Sequence, residues 1–140
     1  MNRLFASDRI YKARGIEART SPLHGRGVFA KNRFERGHTI EVAPLIFLTA
    51  LEKEWLQTTS LFHYYFLGGD TDLPVAFGLG LSSLYNHHCP ANAVYSISQQ
   101  RAIISIKACK HISSGEEITL NYNGSPEDHS PVYFPTNAPL

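Results

Sequence analysis

Residues 84–95 read LYNHHCPANAVY, from Leu84 to Tyr95. Two asparagines, two adjacent histidines, one of only two cysteines and a proline stand in one short stretch. A structural zinc ion would use His87, His88 and Cys89. Adjacent residues rarely all ligate one ion, however, and no second ligand pair stands at a workable spacing. A cysteine nucleophile needs a base that reaches it across space rather than the next residue along the chain. The remaining reading is a buried polar loop, in which Asn86 and Asn92 satisfy backbone groups at a tight crossing, because buried amides demand partners. No metal ligand is expected.

Around this stretch the composition is that of an ordinary globular protein. The chain has 140 residues, 43% apolar and 18% charged, with a net charge of +1. One domain is the natural expectation at this length, and the apolar fraction argues against disorder. No basic stripe points to nucleic acid. The opening MNRLFASDRIYKARG scatters charges where a signal peptide needs an apolar run, and no apolar stretch is long enough to span a bilayer. Cys89 and Cys109 alone do not make a disulfide framework, so a reducing, intracellular compartment is expected.

Strand signals outnumber helix signals. Gly27–Ala30 (GVFA), Thr39–Leu48 (TIEVAPLIFL), Leu61–Leu67 (LFHYYFL), Ala93–Ser98 (AVYSIS) and Arg101–Ala108 (RAIISIKA) are rich in β-branched and aromatic residues. The last two read as a hairpin turning at Gln99-Gln100. The clearest helix is TALEKEWL, where Thr49 caps and Glu52 completes a capping box; its end is expected near Thr58–Ser60. No repeat or low-complexity segment appears. The expectation is an irregular, mainly β domain with one or two short helices.

Two further motifs flank the opening stretch. In HGRGVFA, Gly25 and Gly27 bracket Arg26 just before a strand, and paired glycines let a backbone bend sharply or approach a ligand closely. The third glycine and following helix of a dinucleotide site are missing. In SGEEITLNY, Gly115 makes a turn, Glu116 and Glu117 follow, and a short apolar run ends at Tyr122.

In this order the three motifs resemble the signature of the SET domain family, the protein-lysine methyltransferases, with its G-x-G, N-H-S-C-x-P-N and G-E-E-L-T-x-x-Y segments. Here they stand as Gly25-Arg26-Gly27, as Asn86-His87-His88-Cys89-Pro90-Ala91-Asn92, and as Glu116-Glu117 after Gly115 running to Tyr122. The resemblance covers roughly Gly15 to Tyr122. His88 replaces the family's serine, and the proline is displaced to Pro90, leaving Ala91 before Asn92. The cysteine-rich zinc segments found before and after the domain in many members are absent. The implied fold is a minimal SET domain: several small, short-stranded, β-clip-like sheets with a knot-like crossing of the C-terminal segment. Residues 1–14 would precede a core of 15–122, with a variable insert at about 49–80 and a tail at 123–140.

The resemblance implies methyl transfer from S-adenosylmethionine to a lysine amine of a protein substrate, a histone or another basic chromatin or ribosomal protein. It assigns Gly25, Arg26 and Gly27 to the methionine end of the cofactor. Arg26 either pairs with the carboxylate or faces solvent. Asn86 would bond the amino-acid end, His87 would meet the adenine through its backbone, and Asn92 would pin the loop. Tyr122 would be the catalytic tyrosine, also touching the cofactor. Tyr95 and Leu120 would line the lysine channel and bind the substrate; Tyr95 would be a second catalytic residue, supplying a hydroxyl that Leu120 cannot, or else pack on the core. Tyr64 and Tyr65 in the insert are candidates for a peptide groove. Tyr133 and Phe134 are candidates to cover the adenine, the alternative being an untidy terminus. The expected partner is the protein substrate, without direct nucleic-acid or membrane contact, bound by a monomer or homodimer. A cytoplasmic location is expected, or a nuclear or host-secreted one if the source is a virus or an intracellular bacterium. A SET-like module that binds without turnover is the competing reading.

Overall fold

The structure, a computed structural model, describes residues 12–132. Its strands, among the described residues, are β1 (Lys12–Ala13), β2 (Ile16–Thr20), β3 (Arg26–Ala30), β4 (Thr39–Leu48), β5 (Tyr65–Leu67), β6 (Val75–Gly78), β7 (Asn86–His87), β8 (Ala93–Ser98), β9 (Ile103–Ala108) and β10 (Glu117–Leu120). A short helix α1 (Ala50–Leu56) and a 3₁₀ turn at Ser60–His63 separate β4 from β5. One sheet runs β5-β6-β4-β9-β8, with β1 also paired to β4; the second runs β2-β3-β10-β7. Every pairing is antiparallel except β7 with β10, which is parallel, Asn86 opposite Thr119 and His87 opposite Leu120.

The two sheets share one core. Val28 and Ile118 come from the second sheet, Ile40, Ile104 and Ile106 from the first, and all are fully buried. Each such aliphatic side chain contributes about 1.5–3 kcal/mol by leaving water. The β4–β9 register shifts between Thr39 and Glu41, so Ile40 is an extra residue against its partner. That bulge breaks the usual alternation, and both Ile40 and Glu41 point inward, Glu41 only 1% exposed.

Local chemistry explains most boundaries. Thr49 accepts from the Glu52 amide and the Glu52 carboxylate accepts from the Thr49 amide, a reciprocal capping box. Helix α1 ends at Leu56, earlier than the expected Thr58–Ser60, because the hydroxyls of Thr58 and Thr59 turn back onto the Trp55 and Leu56 carbonyls. Thr59 then caps a new 3₁₀ turn by accepting from the Leu61 amide. The expected strand Leu61–Leu67 is therefore half 3₁₀ turn, and only Tyr65–Leu67 is strand. Side-chain bonding by Ser and Thr to nearby backbone competes with strand propensity in this way. Strand β2 (IEART) shows no apolar alternation in the sequence, and its burial is confined to Ile16.

The stretch Asn86–Asn92 fastens β10 in place. The Asn92 amide donates to the Glu117 carbonyl at 2.8 Å, and its oxygen accepts from the Thr119 amide at 2.8 Å. The His88 amide donates to the Leu120 carbonyl, and the Ala91 amide to the Pro126 carbonyl. The chain beyond β10 thus runs past this loop, bonded to both ends of it, which is the crossing expected from the fold. The Cys89–Pro90 peptide is cis. The His88 ring lies with Nδ1 2.9 Å from the Pro90 carbonyl, so Nδ1 donates there. The two departures from the family motif thus bond one another inside the loop. Replacing Asn92 with alanine strips the Thr119 amide and Glu117 carbonyl of these partners. Urea unfolding should show a loss of about 2–4 kcal/mol; a loss below about 0.5 kcal/mol would show that the clamp contributes little.

Candidate active site

Three segments far apart in sequence meet at one carboxylate. Glu117, at the start of β10, accepts from the Ser21 hydroxyl with both oxygens, at 2.9 and 2.8 Å, and from the Asn86 amide at 2.9 Å. The same Asn86 amide nitrogen also donates to the His24 and Arg26 carbonyls. The turn from Ser21 to Gly27 is thereby held against β7 and β10. Gly27 is needed at this junction: an added Cβ would run into the Glu117 carboxylate and lie 3.0 Å from Asn86 Nδ2. The turn is further closed by the Ser21 amide on the Gly25 carbonyl and by the Ser21 hydroxyl accepting from the Leu23 amide. Beside it, the Pro22–Leu23 corner, the His88–Asn92 loop and Lys110 line a groove of about 380 Å³ that reaches Glu117 and Thr119.

Tyr122, two residues past β10, is held at both ends. Its amide donates to His87 Nδ1 at 3.0 Å, and its hydroxyl donates to the Tyr85 carbonyl at 2.7 Å. The two rings lie 5.3 Å apart at 59°. Because a backbone N–H can only donate, His87 Nδ1 carries no proton there. Burial, helped by repulsion from His88, holds the His87 pKa below its usual value and favours that neutral ring. Tyr122 is 41% exposed as a residue, yet its phenol is pushed up to about 12, first by burial, then by the neighbouring Tyr64 phenol and the Glu117 carboxylate. The hydroxyl therefore stays protonated through the neutral range.

The aromatic residues between α1 and β6 divide by side. Tyr64 lies close enough to raise the Tyr122 pKa. Phe66 packs on Tyr95 at 5.3 Å between ring centroids. The Tyr95 hydroxyl stands beside Gly124, where an added Cβ would be 4.0 Å away, and burial raises its pKa. Tyr65 instead turns edge-on to Phe62 at 6.0 Å, and Leu120 is fully buried in the common core.

Gly25, Gly27, Asn86, His87, Tyr122 and Tyr64 are thus brought together, and Arg26 stands on the exposed side of the same turn. Tyr133 and Phe134 lie outside the described residues. Among the described residues, no group of three or more His, Cys, Asp and Glu side chains is placed to hold a metal ion. Ser21, Glu117, Tyr85 and Glu41 were not singled out from the sequence as site residues. Glu117 was visible as part of a motif, but only the fold reveals what its carboxylate holds.

Comparison with known proteins agrees with this geometry. The SET domain family profile matches residues 25–123. A Schizosaccharomyces pombe protein named histone-lysine N-methyltransferase, H3 lysine-37 specific, is 29% identical over 108 residues, covering 76% of this chain and 72% of that protein. The fold resembles that of a candidate histone methyltransferase from Plasmodium falciparum, with a TM-score of 0.66 at 24% identity, over 85% of this chain and 97% of that one. It also resembles part of an autoinhibited PRC2 assembly solved with S-adenosylmethionine, with a TM-score of 0.65 at 23% identity, over 83% of this chain and 16% of that one. With the three motifs in order, the crossing at Asn92 and a profile match over most of its length, the chain belongs to the SET domain family.

Proposed function

We propose that this protein transfers a methyl group from S-adenosylmethionine to a lysine side chain of a protein substrate. The observation that carries the reading is the Tyr122 hydroxyl, its proton committed to the Tyr85 carbonyl and its amide held by His87, next to the turn gathered by Asn86 and Glu117. The available donors and acceptors fit the cofactor. Asn86 Oδ1 accepts no bond among the described residues and suits a cationic amine, while the exposed Arg26 guanidinium is in no ion pair among them and suits a carboxylate. When bound, S-adenosylmethionine supplies a methyl group already activated on a sulfonium. What remains for the protein is orientation and electrostatics.

The Tyr122 oxygen would orient a lysine amine, its proton being directed to the Tyr85 carbonyl. With a pKa near 12 it acts as a fixed dipole rather than a phenolate base. A lysine amine normally titrates near 10.4; a lysine channel lined by aromatic residues such as Tyr64 and Tyr95 would disfavour the ammonium by desolvation. The Tyr95 hydroxyl would limit how many methyl groups fit. The relative named as a histone-lysine N-methyltransferase suggests a basic, histone-like substrate, and the two free thiols, Cys89 and Cys109, suit a reducing intracellular compartment.

Labelled S-adenosylmethionine offered with histones and with cell lysate should show transfer, and Tyr122→Phe should slow it by at least about 100-fold. Undiminished transfer by that variant would contradict the mechanism, and cofactor binding without transfer to any protein would favour a binding module. Mass spectrometry of Tyr95→Phe products should show a shift toward higher methylation; unchanged mono-, di- and trimethyl ratios would remove Tyr95 from that role. His87 gives a pH dependence. Its folded pKa lies below the usual 6.5, so its stabilising contribution is present above pH 6.5 and lost as pH falls through the folded value. Wild type should lose melting temperature on acidification more steeply than His87→Asn, whose amide oxygen accepts without titrating. Parallel slopes would argue against His87 as the brace.

A further inference from the structure

Glu41 is a buried carboxylate with no use in the reaction above. Among the described residues it has no ion pair. Burying a charge without a counter-ion is costly unless hydrogen bonds compensate closely. Here each oxygen has a separate partner. Oε1 accepts from the Tyr85 hydroxyl at 2.9 Å, and Oε2 accepts from the Leu81 amide at 2.9 Å. The turn before Leu81 is shaped around the carboxylate. Gly80 has φ +62, a conformation that favours glycine, and an added Cβ would lie 2.6 Å from Glu41 Oε2. Apolar residues of similar volume would fill this position at less cost.

Tyr85 is itself 2% exposed, and it connects the carboxylate to the site. Its hydroxyl is bonded to Glu41, while its carbonyl accepts the Tyr122 hydroxyl at 2.7 Å. Its carbonyl lies immediately before strand β7 (Asn86–His87), whose pairing with β10 begins at Asn86. Tyr85 lies just outside that ladder. Anchoring the far end of its side chain restrains the backbone of the same residue.

We propose that Glu41 is a positioning residue for the Tyr122 hydroxyl, acting through Tyr85. The chain of bonds runs from the Leu81 amide and the Tyr85 hydroxyl into the Glu41 carboxylate, and from the Tyr122 hydroxyl into the Tyr85 carbonyl. The bulge in β4 is what turns Glu41 inward to take part. The proposal rests on the methyl-transfer reading for its kinetic consequence, but the geometric coupling does not depend on turnover.

Tyr85→Phe tests it with least disturbance, since ring and carbonyl both remain. Relative to wild type, kcat should fall about 10-fold, because small misplacements at a reacting centre are costly. Cofactor affinity, measured by calorimetry, should change less than about 2-fold, since Asn86 and the Ser21–Gly27 turn are untouched. Glu41→Gln keeps one acceptor and should recover part of the rate lost in Glu41→Leu. A second readout is independent of activity: in protein carrying ¹³Cζ-labelled tyrosine, the Tyr122 signal, assigned by its loss in Tyr122→Phe, should shift in Tyr85→Phe. A lowered melting temperature with unchanged kcat would reduce Glu41 to a structural residue and overturn the proposal. An unmoved Tyr122 signal would overturn it whatever the activity, whereas an inactive wild type with a moved signal would overturn the methyl-transfer reading and uphold the coupling.

Discussion

The side-chain amide of Asn92 acts as a short strand neighbour for β10, donating to one carbonyl and accepting from an amide two residues on. Parallel pairing with β7 then takes over at Thr119 and Leu120. Strand β10 is thus gripped along one edge by a side chain and by a two-residue strand, and along the other by β3. No hairpin could produce this arrangement, because parallel neighbours cannot be joined by a tight turn. The consequence is spatial. Tyr122 emerges from β10 at the point where Asn86 and His87 run alongside, so the tyrosine, the asparagine and the glycine turn share one corner of the molecule.

That corner works mainly through neutral groups. The Glu117 carboxylate is occupied by Ser21 and Asn86 rather than directed at a reacting atom. Tyr122 keeps its proton, His87 is held neutral, and the carbonyls of His24, Arg26 and Tyr85 are each given a donor. Preorganised dipoles need no rearrangement when charge moves during a reaction. A site of this type suits a reaction whose activation resides in the donor molecule and whose protein component must hold still.

Much of this was legible in the residues. The strands at Thr39–Leu48 and Ala93–Ser98 have in the sequence the bounds that the fold shows, because β-branched and aromatic residues enrich both. The capping box at Thr49 and Glu52 was read correctly because it is a local contact. Three features were not legible, each for a physical reason. The insert's aromatic run looked like a single strand, but Thr59 diverts its first half into a 3₁₀ turn. The pairing of β10 with β7 joins segments whose partners lie far apart in sequence. Alternation from a buried Ile40 places Glu41 on the solvent side; the bulge that reverses this depends on the β9 register, and no residue in β4 announces it. The buried network through Tyr85 was hidden for the same reason.

The bonds between the Cys89–Asn92 loop and the segment after β10 also impose an order in time. Sheet β4–β9–β8 closes with residues up to Ala108. The site does not: Asn92 waits for Glu117 and Thr119, His87 waits for Tyr122, and Ala91 waits for Pro126. As the chain leaves the ribosome, its first sheet can form while the reactive corner is still unassembled, since contacts between distant segments form only when both are present. A growing chain therefore carries its first sheet before the corner around Asn92 and Tyr122 can close, which requires residues 117–126 to emerge and pass the waiting loop.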